Sequence, residues 1–503
     1  MRIPKWNLVF IFFSSLFMTS CIMVGPNFHC SKPPPTQKYT STPLPAKTTH
    51  TPDLGSAGQS QYFIHGGALP QEWWHLFHSK QLNTLILQGI ANSPTLEAAE
   101  ATLRQAQELL QAEFGLLLLP SANATYTGQR QRFSSSSFGS NTTSIFNLYN
   151  ASVNIAYTFD IWGGARRQIE YYRANVDYER YQLIAAYLTL TSNIVTTAIN
   201  IAYLEEEINA TQLLFNEESK QLTLLKKQFK LGGISLQNVL TQQTQVEQTG
   251  ALLPPLQKDL YQANHALAVL IGVPPSLLPP VHIDLEHLYL PKNLPVSLPS
   301  NLIRQRPDVL ASEALLHEAS AQIGVATANL LPQFSITGNY GWQSDHSRHL
   351  FEPANNVWTY GGQLLQPLFQ GGALMAERRE AIDAYNAALQ QYRQTVLQAL
   401  QNTADSLRAI QMDARELKDQ RSAEVAAKRN FKLTSQQFYL GAVNYLSLLT
   451  AEQQYQQTLI NRIQAQAARF SDTAALFEAL GGGWWVVSTY PLPIKAKLDP
   501  MVS

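Results

Sequence analysis

Apolar positions along the 503-residue chain change period in a fixed order, and the chain runs through that order twice. From Glu72 the spacing is helical. The stretch NSPTLEAAEATLRQAQELLQAEFGLLLLP has a Ser-Pro start, carboxylates in its opening turns and a stop at Pro120. The period then drops to two. Ala122, Ala124, Tyr126 and Gly128 alternate with Asn123, Thr125, Thr127 and Gln129, and Val153, Ile155, Tyr157 and Phe159 alternate with Ser152, Asn154, Ala156 and Thr158. Such alternation predicts a β-hairpin over 121–160, closed by a Ser/Asn-rich loop. Beyond Gly163-Gly164, up to about residue 231, there is no proline and no interior glycine, so a single helix roughly 100 Å long is expected. Ile169, Val176, Leu183, Leu190 and Leu204 keep a heptad with Thr197, and Tyr187, Ile194, Ile201 and Ile208 fill a second seam. A return helix is predicted from about Ser235 to Ile271.

The second pass has the same order. Phe334, Ile336, Tyr340 and Trp342 alternate with Ser335, Thr337, Asn339 and Gln343, and a less regular strand continues from Trp358 to Leu368. Together they predict a hairpin over 333–369. A helical hairpin over 372–480 runs out along 373–439 and back along 444–479. Both β-hairpins enter alike (LLPSANATYTG, LLPQFSITGNYG) and leave alike (FDIWGGA, PLFQGGA), and both helical hairpins turn on a Leu-Gly-small motif (LGGISLQNVL, LGAVNYLSLL). A duplicated plan is therefore expected: a first repeat over 71–271, a proline-rich connector over 272–300, a second repeat over 301–480 and an irregular tail over 481–503.

The strands pair an apolar, aromatic-bearing face with a hydroxyl- and amide-rich one. Strands of about ten residues suit a tilted barrel in a bilayer. Four strands cannot close such a barrel, and an open edge is not tolerated in lipid. Several chains must then share one barrel, whose polar faces line a water-filled channel.

Composition adds an address. Arg2 and Lys5 precede the apolar run Trp6–Met18, which is too short to span a bilayer and reads as a signal peptide over 1–20. The small residues of MTSC make Cys21 a lipidation site, although an ordinary signal with an incidental cysteine gives a similar pattern. With Cys21 acylated, Cys30 has no partner for a disulfide. Residues 21–70, rich in Pro, Ser, Thr and Gly, read as an extended, lipid-anchored tether. Lys+Arg and Asp+Glu number 36 each, which leaves no electrostatic case for nucleic acid. Asp345, His346 and His349 sit in a predicted external loop and read as solvated. Arg304, Arg306 and Asp308 read as a helix start, and the Trp73-Trp74 and Trp484-Trp485 pairs read as packing anchors. No catalytic constellation, cofactor motif or metal site is evident, so an enzyme is not expected.

CIMVGPNF (Cys21–Phe28), EWW (Glu72–Trp74), LIRQRPDV (Leu302–Val309), the Gly-Gly helix starts and the two Leu-Gly turns together resemble the TolC/OprM-like outer membrane efflux family, in its acylated NodT-type branch. The resemblance covers nearly the whole chain from Cys21 to about Trp485. It implies a mainly α fold with a transmembrane β-barrel: a homotrimer with twelve strands in the outer membrane, continued by a long α-helical tunnel in the periplasm. It implies an exit duct serving an inner-membrane pump through a periplasmic adaptor, for efflux or type I secretion. The adaptor contacts would fall on the tips, Leu231, Gly232, Gly233 and Ile234 in one turn and Leu440, Gly441, Ala442 and Val443 in the other. The closed aperture would be lined by Leu446, Thr450 and Gln453. Thr450 stands where relatives usually carry Asp, and three hydroxyls cannot form an anionic filter. Glu452, two residues on, falls on another helix face. The competing reading is a lipid-anchored coiled-coil surface protein, structural or adhesive, without channel activity.

Overall fold

In a computed structural model, residues 23–30, 36, 38–67, 69–134 and 143–485 are described. The expected signal peptide, Cys21 and the tail beyond 485 lie outside them. The elements are β1 (Tyr62–His65), α1 (Lys80–Asn92), α2 (Pro94–Leu118), β2 (Ser121–Ser134), β3 (Thr143–Phe159), α3 (Gly164–Lys230), α4 (Leu236–Leu270), β4 (Asn293–Val296), α5 (Pro299–Leu302), α6 (Pro307–Ala328), β5 (Gln333–Ser344), β6 (Asn356–Leu365), α7 (Ala373–Tyr439) and α8 (Tyr445–Ala479). The chain divides into two compact units, the first containing residues up to 31, 102–179 and 311–393, the second 32–101, 180–310 and 394–503.

The first unit holds an antiparallel sheet of order β2-β3-β5-β6. Its register turns two alternating patterns into two continuous faces. Ile155 lies opposite Ala122 and Gly338, Val153 opposite Ala124 and Tyr340, and Tyr340 opposite Trp358. Asn154 lies opposite Asn123 and Asn339, and Ser152 opposite Thr125. One face is therefore apolar and aromatic, with Tyr126, Ile155, Tyr340 and Trp358 exposed. On the other face the Thr125 and Ser152 hydroxyls lie 3.1 Å apart, and the Asn154 amide donates to Thr125 Oγ1 at 3.2 Å. β2 and β3, at 14 and 17 residues, exceed the ten expected, because backbone pairing continues out to Ser134–Thr143 after side-chain alternation has lapsed. β6 ends at Leu365, short of the expected Leu368.

Beyond the sheet, side chains fix both the start of α3 and the N-terminal segment. Asp160 accepts from the backbone N–H groups of Ala165 and Arg166 at 2.9 and 3.0 Å, capping the start of α3. Residues 24–28 are bound by α3 and α6. The buried Arg167 donates to Val24 O (3.0 Å), Asn27 Oδ1 (2.8 Å) and Glu170 Oε2 (2.6 Å). Phe28 stacks on His317 with ring centroids 4.3 Å apart, and His317 in turn meets Glu170 at 2.8 Å. Gly25 has φ +87, and a Cβ there would lie 2.5 Å from Gly324 Cα. The Val-Gly-Pro-Asn-Phe motif is thus a fitted segment.

The second unit packs α1 and the helical hairpins around an aromatic core. Trp73 lies 5.5 Å from Phe477, and Phe77 touches both Phe470 and Phe477. Tyr187, Ile194 and Ile201 of the predicted seam are buried here, with Val195 and Ile199 buried beside them, so this part of α3 is covered on more than one stripe. Trp484 donates to Gln305 O at 2.7 Å, and Arg306 binds both Asp308 (2.6 Å) and Ala479 O (3.0 Å), holding the end of α8. These groups serve packing, as their sequence context predicts.

The expected tether is corrected over 38–67. β1 pairs in parallel with β4 of the connector, Tyr62 opposite Asn293 and His65 opposite Val296. Arg469 of α8, fully buried, donates to Gln59 O (2.6 Å), Thr48 Oγ1 (3.1 Å) and the carbonyl of Ala57. A buried guanidinium needs several acceptors, and backbone carbonyls of an irregular segment supply them. Local composition hides this, because the partners lie hundreds of positions away.

Candidate functional site

The two Leu-Gly turns have one geometry. Gly232 N donates to Phe229 O and Gly233 N to Gln228 O, both at 2.9 Å. In the second turn, Gly441 N donates to Phe438 O at 2.9 Å and Ala442 N to Gln437 O at 2.8 Å. Each is a helix end of the type in which the chain reverses through one left-handed residue. That residue is Gly232 (φ +73) in one turn and Gly441 (φ +74) in the other, where a side chain would be strained. The next position has no such demand, which explains why Gly233 in one turn is Ala442 in the other.

Leu231 and Leu440 stand 87% and 84% exposed, while Ile234 and Val443 are half-buried. Behind the turns a single apolar cluster draws on every long helix: Leu222 and Leu225 from α3, Val239 and Val246 from α4, and Tyr445, Leu448 and Leu449 from α8, flanked by Phe431 and Phe438 of α7. The two turns, distant in sequence, therefore form one joint tip.

α8 begins at Asn444, whose Oδ1 accepts from Ser447 N at 2.9 Å. Leu446 is 64% exposed, and Thr450, also exposed, donates its hydroxyl to Leu446 O at 2.9 Å. These two residues thus share an exposed face of α8. Gln453 differs from them, since its amide nitrogen donates to Gln245 Oε1 of α4 at 2.6 Å. Glu452 lies on the opposite, buried side with 2% exposure.

Sequence patterning missed the polar layer around Glu452. Glu218 of α3 has no exposed surface. Its Oε1 accepts from Gln245 Nε2 at 3.1 Å and from Gln456 Nε2 at 2.7 Å, and its main-chain carbonyl accepts from Gln242 Nε2 at 3.1 Å. Glu452 Oε2 and Glu218 Oε2 have no hydrogen-bond partner. Burial, then the nearby charges of Glu218 and Glu217, push the Glu452 carboxyl up to about 7. A second layer links the repeats further along. Arg462 of α8 meets Glu206 of α3 at 2.9 Å, Gln466 at 2.8 Å and Glu424 of α7 at 3.5 Å. Glu218 falls on the heptad seam of α3, two heptads beyond Leu204 and one before the buried Leu225, so the seam itself marks its burial, whereas Glu452 and the Gln side chains of α4 and α8 carry no such mark.

In the turn between β5 and β6, His346 pairs with Asp345 and His349 with Glu352, and among the described residues no group of three potential metal ligands gathers. Cys21 lies outside the described residues.

Comparison with known proteins agrees with this arrangement. A model of the family described as outer membrane efflux protein matches residues 85–273 and 298–482. The pyoverdine export outer membrane protein OpmQ of Pseudomonas aeruginosa is 29% identical over 456 residues, covering 88% of this chain and 94% of that protein. Nodulation protein T of Rhizobium leguminosarum bv. trifolii is 25% identical over 479 residues, covering 94% and 96%. The solved structure of the outer-membrane channel OprN superposes with a TM-score of 0.82 at 24% identity, covering 92% of this chain and 99% of that one.

Proposed function

From the premise that the chain belongs to the outer membrane efflux protein family, in its NodT-like branch, and is an efflux channel of the outer membrane with a helical periplasmic tunnel, we propose that three copies build its duct. The observation that carries this is the four-stranded sheet, apolar on one face and hydroxyl-lined on the other, with β2 and β6 at its edges. An edge exposed to lipid leaves backbone donors and acceptors unsatisfied. Pairing β6 of one copy with β2 of the next removes both edges, and three copies supply twelve strands around a wet lumen.

In this reading Cys21 carries the acyl anchor. The exposed tips, Leu231 to Ile234 and Leu440 to Val443, receive a periplasmic adaptor that couples the duct to an inner-membrane pump. Leu446 and Thr450 on the exposed face of α8 form the closed aperture, with Gln453 as its bridge to α4. The duct conducts passively, and the members it resembles are channels rather than enzymes. Cargo choice belongs to the pump.

Purified protein in a planar bilayer is expected to give stepwise conductance and to migrate as a trimer in mild detergent. Protein that stays monomeric and never conducts overturns the proposal.

A further inference from the structure

We propose that Glu218 and Glu452 form a proton-operated latch behind the tip, closed when Glu452 holds a proton and loosened when both carboxylates are ionised. The inference rests on α8 being the aperture helix.

The hydrogen-bonded layer joins three helices from both repeats: Glu218 on α3, Gln242 and Gln245 on α4, and Gln453 and Gln456 on α8. Glu452, buried one turn before Gln456 on the same face of α8, lies against it beside Glu218. Donors are unequally shared. Glu218 takes two side-chain amide bonds on one oxygen, whereas Glu452 Oε2 has none. Buried beside Glu218 with no donor on Oε2, Glu452 is the carboxylate whose charged form the layer disfavours.

The charged and titratable surroundings do not neutralise the pair. From α3, Glu217 adds a further negative charge, and Lys220 is committed to it at 2.8 Å. From α4 the layer receives only the neutral amides of Gln242 and Gln245. From α7, Lys428 lies 6.0 Å from the ring of Tyr455. From α8 itself comes Tyr445, whose buried hydroxyl has no partner and whose own ionisation is opposed by burial and by Glu452 and Glu218. Arg462 is engaged by Glu206, Gln466 and Glu424.

Ionising Glu452 therefore sets two unscreened negative charges between α3 and α8. Repulsion drives the buried face of α8 away from α3, and the face bearing Leu446 and Thr450 moves with it. The two forms set the sign of the pH dependence. In the closed layer the Glu452 carboxyl titrates at about 7, against 4.5 for an ordinary glutamate. The closed layer is fully stable below the ordinary value, weakens as pH rises between the two, and loses nothing further above the higher one. A gap of that size corresponds to about a three-hundredfold change in the closed-to-loosened ratio. The proton leaves to water and no other reactant is needed. An acidified periplasm thereby keeps the duct shut.

The test uses the full-length trimer in two readouts: open probability in planar bilayers, and amide-exchange protection of residues 446–456 corrected for intrinsic exchange. Both are tracked from about pH 5 to about pH 7.5, the window in which a carboxyl raised this far titrates. Expected for the wild type is rising open probability with falling protection. Glu452→Gln should remove this step. Glu218→Gln removes the repelling charge, so it should move the step to lower pH and serves if the first variant misfolds. Because Asp413, beside Asp472, is also held well above the usual carboxylate range, the variants rather than the wild type alone decide. An unchanged step in Glu452→Gln, or an unshifted one in Glu218→Gln, overturns the latch. A step that responds to added calcium or EDTA instead of pH also overturns it, in favour of a bound metal ion. Conductance without the step sinks the latch and leaves the duct. Protection that titrates as expected in a protein that never conducts sinks the duct and leaves the latch.

Discussion

At the scale of single residues, the exposed face of α8 carries the main functional expectation. Thr450 spends its hydroxyl hydrogen on Leu446 O, so three such residues around an aperture present oxygen lone pairs without net charge. Thr450→Asp would place three carboxylates there. Under a salt gradient the variant is expected to shift its reversal potential toward cation preference, while the wild type stays near zero. An unshifted potential would remove Thr450 from the aperture. The exposed positions of this face were legible in the sequence, because Leu446 and Thr450 lie four apart, and helical geometry alone turns Glu452 away from them. The role of Glu452 was not legible, since its environment is made by Glu218 and the Gln side chains of other helices. A carboxylate among glutamines reads as a solvated surface until the helix covering it is known.

At the scale of elements, the helices were easy to read and their cross-links were not. The proline-free run expected to reach about residue 231 and the outward helix expected over 373–439 each form one unbroken helix of 67 residues. β1 gave no comparable signal: four residues pair with Asn293–Val296, and neither strand is long enough to show a period. The Arg462 layer tests how far such cross-links hold the repeats together. Arg462→Ala strands Glu206 without its cation, while Glu424 keeps Arg421 at 2.8 Å, and should cost about 3 kcal/mol, the low end of the range for breaking a buried pair from one side. Glu206 is already held above the ordinary carboxylate range by burial, against the pull of Arg462. Removing Arg462 raises it further, so the loss should be larger at alkaline pH, where the orphaned carboxylate must ionise, and smaller in acid. Thermal unfolding at two pH values would check both magnitude and sign.

At the scale of the molecule, the sheet makes an unequal prediction for neighbouring residues. Ile336 and Thr337 are adjacent and point to opposite faces. In a barrel, Ile336→Lys puts a charge into lipid at a cost of about 2–4 kcal/mol near the midplane, whereas Thr337→Lys faces water and should be nearly neutral. Urea titrations of protein refolded into vesicles would measure the difference, and equal costs would contradict a membrane-facing apolar side. The pairing of β3 with β5 is the only ladder between the two repeats among the described residues. The segment just after Cys21 adds a dimension of time. Val24 reaches Trp162 O and Arg167, both from the first repeat, while Gly25 and Phe28 fit Gly324 and His317 from the second. Neither repeat can seat that segment alone. Its docking is therefore a late event that reports completed folding of the whole chain, and a stalled or half-folded copy leaves the stretch that follows Cys21 open to proteases.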